Sequence, residues 1–248
     1  MATLPHASRA EVYDAVYEAE YGALYRQLTD LTVDVIAGLA APGARIVDFG
    51  AGTGRLAIPL TRGGFRVVAV DPCEPMLRRI AESAPEHKIP CVVSTMQSFD
   101  ADEPFDMALC VFTVVCYLLD AATLHAGFEA CARVLRPGGL VLLDVPTETL
   151  FGSRAVKAPG LRRDVTITPL GEGLYDYEER LVIGRAGDRR KYRDAFRIRA
   201  WGAREVLDTC SGVPDAMRST ISGGKGQRRA VSRARSRATQ PMTRSAIQ

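Results

Sequence analysis

The sequence lacks the features typical of membrane, secreted and metal-binding proteins. No apolar run in its 248 residues has the length of a membrane span. The N-terminus has no basic segment followed by an apolar one, so we expect no secretory signal. The six cysteines form no Cys-x-x-Cys pair, and the three histidines are too scattered to suggest a metal site. We therefore predict reduced core cysteines, no metal and a cytoplasmic location.

Acidic residues are absent from the C-terminal end of the chain. No aspartate or glutamate follows Asp215, whereas eight lysines and arginines do, so the formal net charge of +3 hides an acidic remainder. The segment 211–248 is rich in Gly, Ser and Arg and has little apolar periodicity, which predicts a basic and mostly disordered tail. A nucleic-acid contact, and a tail altered by a change of reading frame, are the alternatives.

One stretch concentrates glycine directly after an apolar run. Ile46–Phe49 has the pattern of a strand buried on both faces, and Gly50, Gly52 and Gly54 follow it. The apolar residues 56–60 then suit a packed helix. Glycine has no Cβ, so this turn lets a nucleoside-type ligand approach the backbone closely.

A second apolar run ends in a carboxylate at Asp71. In a right-handed βαβ unit, the carboxyl ends of both strands lie at one edge of the sheet. Asp71 should therefore face the glycine turn, where a carboxylate can accept hydrogen bonds from both hydroxyls of a ribose.

Two nucleotide-binding interpretations compete for this turn, besides the possibility that it binds nothing. Residues 52–57 fit the dinucleotide pattern G-x-G-x-x-[GA]. Asp48 followed by Gly50-x-Gly52-x-Gly54 resembles instead the first motif of class I S-adenosylmethionine (SAM) methyltransferases. A carboxylate at Asp48 would repel a pyrophosphate but suits a ligand with an ammonium and a sulfonium, so charge favours the methyltransferase.

Further segments resemble the same family, strongly over residues 44–145 and loosely beyond them. The helical pattern near the N-terminus matches a cap that closes over SAM in many small-molecule methyltransferases, and four later motifs match other parts of the family pattern. These segments are Tyr13-Asp14 with Tyr17, Asp71-x-x-x-Pro75-Met76-Leu77, Phe105-Asp106 before an apolar run, Leu135-Arg-Pro-Gly-Gly139, and Trp201-x-x-x-Glu205.

The resemblance implies an α/β fold with a Rossmann-like, doubly wound and mostly parallel sheet that has helices on both faces. Alternating residues from about Val165 to Ala200 add a small antiparallel sheet. The expected organisation is a helical cap over 1–40, a SAM-binding core over 41–150, an antiparallel lid sheet and helix over 151–210, and the tail over 211–248.

The resemblance also implies SAM as the cofactor and a set of residues that bind it. The glycine turn would hold the methionine end, Asp71 the ribose, and Met76 the adenine. Thr95 stands where the family often has an aspartate, which weakens the expected adenine contact. The full set is Tyr13, Tyr17, Asp48, Gly50, Ala51, Gly52, Gly54, Asp71, Pro72, Met76, Thr95, Met96, Gln97 and Phe112.

The expected function is transfer of the SAM methyl group to an O or N nucleophile of a small molecule by in-line displacement. Residues 112–115 read Phe-Thr-Val-Val and not [DN]-P-P-[YF], which disfavours methylation of adenine or glutamine. No convincing general base emerges, since His6 and His125 are candidates only by residue type. The alternatives are an RNA-directed methyltransferase that uses the basic tail, a SAM-binding protein without catalysis, and a nicotinamide-dependent oxidoreductase.

Overall fold

The computed structural model describes residues 4–185, 187–211, 218–224 and 227–233, the last two ranges at the level of the backbone. The strands, in chain order, are β1 (Arg45–Phe49), β2 (Arg66–Asp71), β3 (Cys91–Val93), β4 (Phe105–Cys110), β5 (Leu135–Pro146), β6 (Arg154–Ala158), β7 (Leu161–Gly171), β8 (Leu174–Ile183), β9 (Arg190–Arg199), β10 (Arg218–Gly224) and β11 (Gln227–Arg233). The α-helices are α1 (Tyr13–Tyr21), α2 (Ala23–Leu39), α3 (Ala57–Arg62), α4 (Glu74–Ser83), α5 (Ala121–Val134) and α6 (Ala203–Ser211). Short 3-10 helices lie at Ala7–Val12, Val114–Tyr117 and Glu148–Phe151.

Five parallel strands form the centre of the larger sheet, in the order β5-β4-β1-β2-β3. The strand order changes direction between β1 and β4. Ligands of doubly wound folds bind at such a point, in the crevice outside the carboxyl ends of the strands. The predicted Rossmann-like sheet is therefore confirmed.

The helices cover both faces of this sheet because its strands are apolar on both sides. Ile36, Leu60 and Ile80, from α2, α3 and α4, share one core cluster with Ile46 of β1. Helices α5 and α6 pack on the other face, in the cluster that contains Phe49 of β1. Burial on both faces explains why the central strands read as continuous apolar runs.

The small antiparallel sheet has the order β6-β7-β8-β9 and confirms the predicted alternation. It begins at Arg154, earlier than the expected start near Val165. Strand β6 alternates only between half-buried and exposed positions, so its hydrophobic pattern is too weak to read from sequence. The Gly187-Asp188 part of the predicted hairpin turn lies between β8 and β9, and Ala186 lies outside the described residues.

The C-terminal segment differs from the predicted disordered tail where the structure describes it. Strands β10 and β11 form an antiparallel pair, and β11 pairs antiparallel with β5 over Leu140–Pro146. The edge of β5 presents unpaired N–H and C=O groups, and a strand of almost any composition can satisfy them. This backbone requirement accounts for the pairing of β11 with β5, and residues 212–217, 225–226 and 234–248 lie outside the described ranges.

The cysteines agree with the expectation from the sequence. All six are free, and all except Cys91 are buried. Within the part of the chain that the structure describes, no helix combines the length and apolarity needed to cross a membrane.

Candidate functional site

The glycine turn is fastened to the carboxyl end of β2. The backbone N–H groups of Gly50 and Ala51 both donate to the carbonyl oxygen of Val70, at 2.8 and 3.1 Å. The N–H of Gly52 donates to Asp71 Oδ2 at 3.0 Å. The structure thus places Asp71 opposite the glycine turn, as the two-strand argument predicts.

Each glycine of the turn has a positive φ, but their surroundings differ. A Cβ on Gly50 would lie 2.6 Å from Val114 Cγ2, and one on Gly54 would lie 2.9 Å from Ile80 Cγ1. A Cβ on Gly52 would make only ordinary van der Waals contacts, with Met76 Cε at 3.4 Å and the Gly50 carbonyl oxygen at 4.0 Å. Internal packing therefore requires glycine at the first and third positions, while Gly52 is the position where an outside group can approach.

Asp71 accepts hydrogen bonds with both carboxylate oxygens. Besides Oδ2 with Gly52, Oδ1 accepts from the N–H of Cys73 at 2.8 Å. Burial raises the pKa of this carboxyl group, although the two N–H donors oppose the shift. Each oxygen keeps a second lone pair, so the carboxylate can still accept two hydroxyl donors.

Asp48 is a buried carboxyl group under the same turn, and only 3% of it is exposed. Its burial and the neighbouring charge of Asp71 raise its pKa to about 7, against a hydrogen bond from the Ala57 N–H. A cation bound nearby would favour the charged form of this group. The site therefore suits a positively charged ligand better than a pyrophosphate.

The predicted cap covers this end of the sheet. Tyr13 packs against Cys73 and Met76, next to Asp71. Asp14 Oδ1 accepts a hydrogen bond from Thr53 Oγ1 at 2.9 Å, which joins α1 to the glycine turn. Tyr17 lies beside Tyr13, with a ring separation of 4.7 Å.

The other predicted adenine contacts are only partly brought together. Thr95 is exposed at the edge beyond β3, where its hydroxyl donates to Ser98 Oγ at 3.1 Å. Gln97 Nε2 donates to the carbonyl oxygen of Thr123 at 3.3 Å. The side chain of Met96 is buried in the α5-side core rather than beside Met76. Pro72 is exposed immediately after β2.

A cavity of about 270 Å³ adjoins the turn beyond Arg55 and Phe112. It lies between the cap helices, the segment after β4 and the antiparallel sheet. Its walls are mainly aromatic and aliphatic: His6, Tyr13, Tyr17, Tyr21, Leu24, Tyr25, Leu28, Arg55, Phe112, Thr113, Cys116, Tyr117, Leu150, Arg154, Ile167, Tyr177, Phe196 and Ile198. Concave, mostly apolar pockets with a few polar groups are typical of small-molecule sites.

The segment after β4 has a conformation that the sequence analysis missed. Phe112 and Thr113 have φ angles of 63° and 75°, which non-glycine residues rarely adopt. Asp144, only 1% exposed, accepts hydrogen bonds from both N–H groups, at 2.9 Å from Phe112 and 3.0 Å from Thr113. A carboxylate at the end of an apolar strand was the available signal, as at Asp71.

Arg55 is a further residue of this site that was not predicted from the sequence. Its guanidinium lies between the rings of Tyr25 and Phe112, with 3.8 and 3.5 Å from Cζ to the ring centroids. It connects the glycine turn to the cavity wall. As for metals, the described ranges contain no group of three or more His, Cys, Asp or Glu residues that could hold an ion.

Comparisons with known proteins match part of the chain to methyltransferases. Residues 46–139 match the family model of a methyltransferase domain. A ubiquinone biosynthesis O-methyltransferase of Caulobacter sp. (strain K31) is 28% identical over 142 residues, covering 55% of this chain and 53% of that protein. The chain spans about half the length of the curated relatives it matches.

Solved structures share the fold over most of the chain. A SAM-dependent methyltransferase from Clostridium acetobutylicum ATCC 824 has a TM-score of 0.78 at 14% identity, covering 91% of this chain and 99% of that one. SAM-bound CalS10, an amino pentose methyltransferase from Micromonospora echinaspora, has a TM-score of 0.73 at 24% identity, covering 90% and 96%. Residues 46–139 thus match a methyltransferase domain, and the chain shares the fold of SAM-dependent methyltransferases over most of its length.

Proposed function

We propose that the chain transfers a methyl group from SAM to an O or N nucleophile of a small molecule. The observation that carries this proposal is the adjacency of two sites at one edge of the sheet. The glycine turn and Asp71 form a nucleoside-type cradle, and the apolar cavity begins beside it at Arg55 and Phe112. The relatives named above, an O-methyltransferase and an amino pentose methyltransferase, support methyl transfer to small acceptors.

The residues around the turn suit the parts of SAM. The backbone of Gly52 is open to the methionine end, and Asp48 provides negative charge near its ammonium and sulfonium. The two lone pairs left on Asp71 suit the ribose hydroxyls. Met76 packs at the adenine side, with Thr95 and Gln97 further along the same edge. Tyr13 and Tyr17 close this site from the cap.

Bound SAM supplies a methyl group that is activated by attachment to a sulfonium. The nucleophile forms a bond to that carbon while the carbon–sulfur bond breaks, and the electron pair remains on sulfur. The protein needs only to align the acceptor and exclude water. The cap tyrosines and the antiparallel-sheet residues Ile167, Tyr177 and Phe196 enclose the cavity and meet this need.

Calorimetric titration of the full chain with SAM, S-adenosylhomocysteine and NAD tests the proposal. We expect the first two to bind and NAD not to bind. Asp71→Ala should weaken SAM binding roughly 100-fold, because two hydrogen bonds to a charged acceptor are lost. Binding of NAD alone, or unchanged SAM affinity in a folded Asp71→Ala variant, would contradict the assignment.

Asp106→Ala is the matched control for this variant. Asp106 lies at the opposite edge of the sheet, where it accepts a hydrogen bond from the Arg45 N–H at 2.7 Å and from Arg136 at 2.5 Å. Its removal also deprives a backbone N–H of its acceptor, so it reproduces the structural loss without touching the turn. SAM affinity should stay at the wild-type value. The cytoplasmic location stays a prediction from the sequence, and a nucleic-acid contact through the basic tail stays an alternative.

A further inference from the structure

The cavity wall carries positive charge without a matching carboxylate. Among the described lining residues, Arg55 and Arg154 are charged at neutral pH, and no aspartate or glutamate is present. Arg154 pairs with Glu20, which lies behind the wall, at 3.2 Å. Arg55 has no such partner at hydrogen-bond distance among the described residues. The wall therefore favours an anion over a cation.

The contacts of Arg55 leave part of its guanidinium open. Nε donates to Thr29 Oγ1 at 2.8 Å, and Nη2 donates to the Tyr25 carbonyl oxygen at 2.9 Å. Nη1 makes no hydrogen bond to any residue in the described ranges. The rings of Tyr25 and Phe112 hold the plane of the Arg55 guanidinium in a fixed orientation. The free N–H groups of Nη1 are therefore pre-oriented donors.

Tyr117 provides a second donor, because of the residues behind it. Arg9 Nη2 lies 2.9 Å from His6 Nδ1, and arginine can only donate, so Nδ1 must be the acceptor. In neutral histidine the proton then lies on Nε2, which donates to the Tyr117 hydroxyl oxygen at 2.9 Å. Burial lowers the pKa of His6, which agrees with the neutral ring. The Tyr117 hydroxyl is left to donate its own proton.

The described lining of the cavity contains no carboxylate that could act as a general base. An ammonium or an aliphatic alcohol must lose a proton to become a nucleophile. His6 is the one imidazole among the described lining residues, and its ring nitrogens are already engaged by Arg9 and Tyr117, with Asp194 Oδ2 3.4 Å from Nδ1. A carboxylate is already deprotonated at neutral pH. Its oxygen lone pair forms the new O–CH₃ bond as the S–CH₃ bond breaks, and no proton has to leave.

We propose that the methyl acceptor is a small aromatic carboxylate, and that Arg55 binds its carboxylate group while Tyr117 donates to one of its oxygens. This inference rests on the proposed function. The cavity volume of about 270 Å³ suits one or two rings, since roughly 150 Å³ already holds a benzene molecule.

Binding to the full chain saturated with S-adenosylhomocysteine tests the charge preference. The probes are benzoate, phenol, benzylamine and benzyl alcohol, which share one ring and differ in the polar group. Benzoate should bind at least tenfold more tightly than benzylamine, and with SAM it should give a methyl ester detected by mass. Benzoate binding no tighter than benzylamine overturns the proposal.

Variants of Arg55 separate the acceptor from the cofactor. Arg55→Met should raise the Kd of benzoate at least tenfold and leave the Kd of SAM unchanged, while Arg55→Lys retains part of the benzoate affinity. Arg154→Met is the control, and a smaller effect is expected because Glu20 already neutralises that charge. If Arg55→Met weakens SAM but not benzoate, Arg55 serves the cofactor's carboxylate and the proposal is wrong. If the folded wild type binds neither SAM nor S-adenosylhomocysteine, the proposed function itself fails.

Discussion

At the scale of single residues, Asp48 combines burial with a position beneath the ligand turn. Its folded-state pKa of about 7 lies well above the ordinary value for aspartate. A group with a raised folded pKa stabilises the protein fully at low pH, and this stability is lost as the pH rises through that pKa. The cofactor-free protein should therefore become less stable because of Asp48 as the pH rises from the ordinary value of 3.8 to about 7.

Asp48→Asn should remove this pH dependence. At pH 8 the variant should melt at a higher temperature than the wild type, because the neutral amide avoids the cost of a buried charge. At a pH near the ordinary value of 3.8 the two melting temperatures should approach each other. Differential scanning calorimetry without SAM measures both, and a constant difference at all pH values would show that Asp48 is not the titrating group.

Asp106→Asn is a control for which the change in melting temperature at pH 8 should have the opposite sign. The hydrogen bonds from Arg136 and from the Arg45 N–H lower the pKa of Asp106. A carboxyl group with a lowered pKa stabilises the folded protein at pH values above the ordinary carboxyl pKa, and this stabilisation is lost as the pH falls. Asp106→Asn should therefore melt below the wild type at pH 8, unlike Asp48→Asn.

At the scale of elements, the segment after β4 depends on one side chain of the next strand. Phe112 and Thr113 hold positive φ angles because Asp144 of β5 binds both of their N–H groups. This turn directs Phe112 to Arg55 and presses Val114 toward Gly50. Strain of this kind costs roughly 1–3 kcal/mol per residue and persists only where neighbouring contacts enforce it.

Asp144→Ala should release this turn. The two N–H groups lose their acceptor, so we expect a loss of about 2–4 kcal/mol in unfolding free energy and a larger loss in acceptor binding than in SAM binding. Urea unfolding and calorimetry measure these effects. Thr113→Gly is the control, because glycine accepts the same φ and should cost less than about 1 kcal/mol. Equal effects of the two variants would contradict the role given to Asp144.

Sequence patterns predicted those strands whose formation is determined by their own side chains. Apolar runs that end at Phe49 and Asp71 identified β1 and β2, and the Leu135–Gly139 motif marked the approach to the apolar part of β5. The pairing of β11 with β5 could not be read in this way, because it depends on backbone groups rather than side chains. Likewise, the positive φ of Thr113 follows from its distant partner Asp144 and not from the residues next to it in the sequence.

At the scale of the whole molecule, a buried charge cluster joins the cap to the antiparallel sheet. Arg9 of the first 3-10 helix and Arg163 of β7 both pair with Glu179 of β8, each at 2.9 Å, and all three are at most 1% exposed. Glu20 of α1 also pairs with Arg163. These residues are far apart in sequence and each is ordinary in its local pattern, so the sequence did not reveal the cluster. The cluster fixes the cap over the cavity.

Glu179→Gln should destabilise the molecule strongly, since it leaves buried guanidinium charge without its main partner. Breaking such a pair costs about 3–5 kcal/mol, whereas an exposed pair contributes at most about 1 kcal/mol. Glu178→Gln is the matched control: the neighbouring residue is exposed and lies 3.6 Å from Arg193. Urea unfolding at pH 7 should separate the two variants by several kcal/mol.

The effect of Glu179→Gln should also depend on pH. Burial raises the pKa of Glu179, but the charges of Arg9 and Arg163 outweigh it and lower the pKa overall. The stability from the carboxylate is thus present above the ordinary carboxyl pKa and is lost as the pH falls below it. The gap between wild type and Glu179→Gln should narrow when unfolding is repeated in acid. A gap of less than 1 kcal/mol at pH 7, similar to that of Glu178→Gln, would mean that the cap is held by its apolar and aromatic contacts instead.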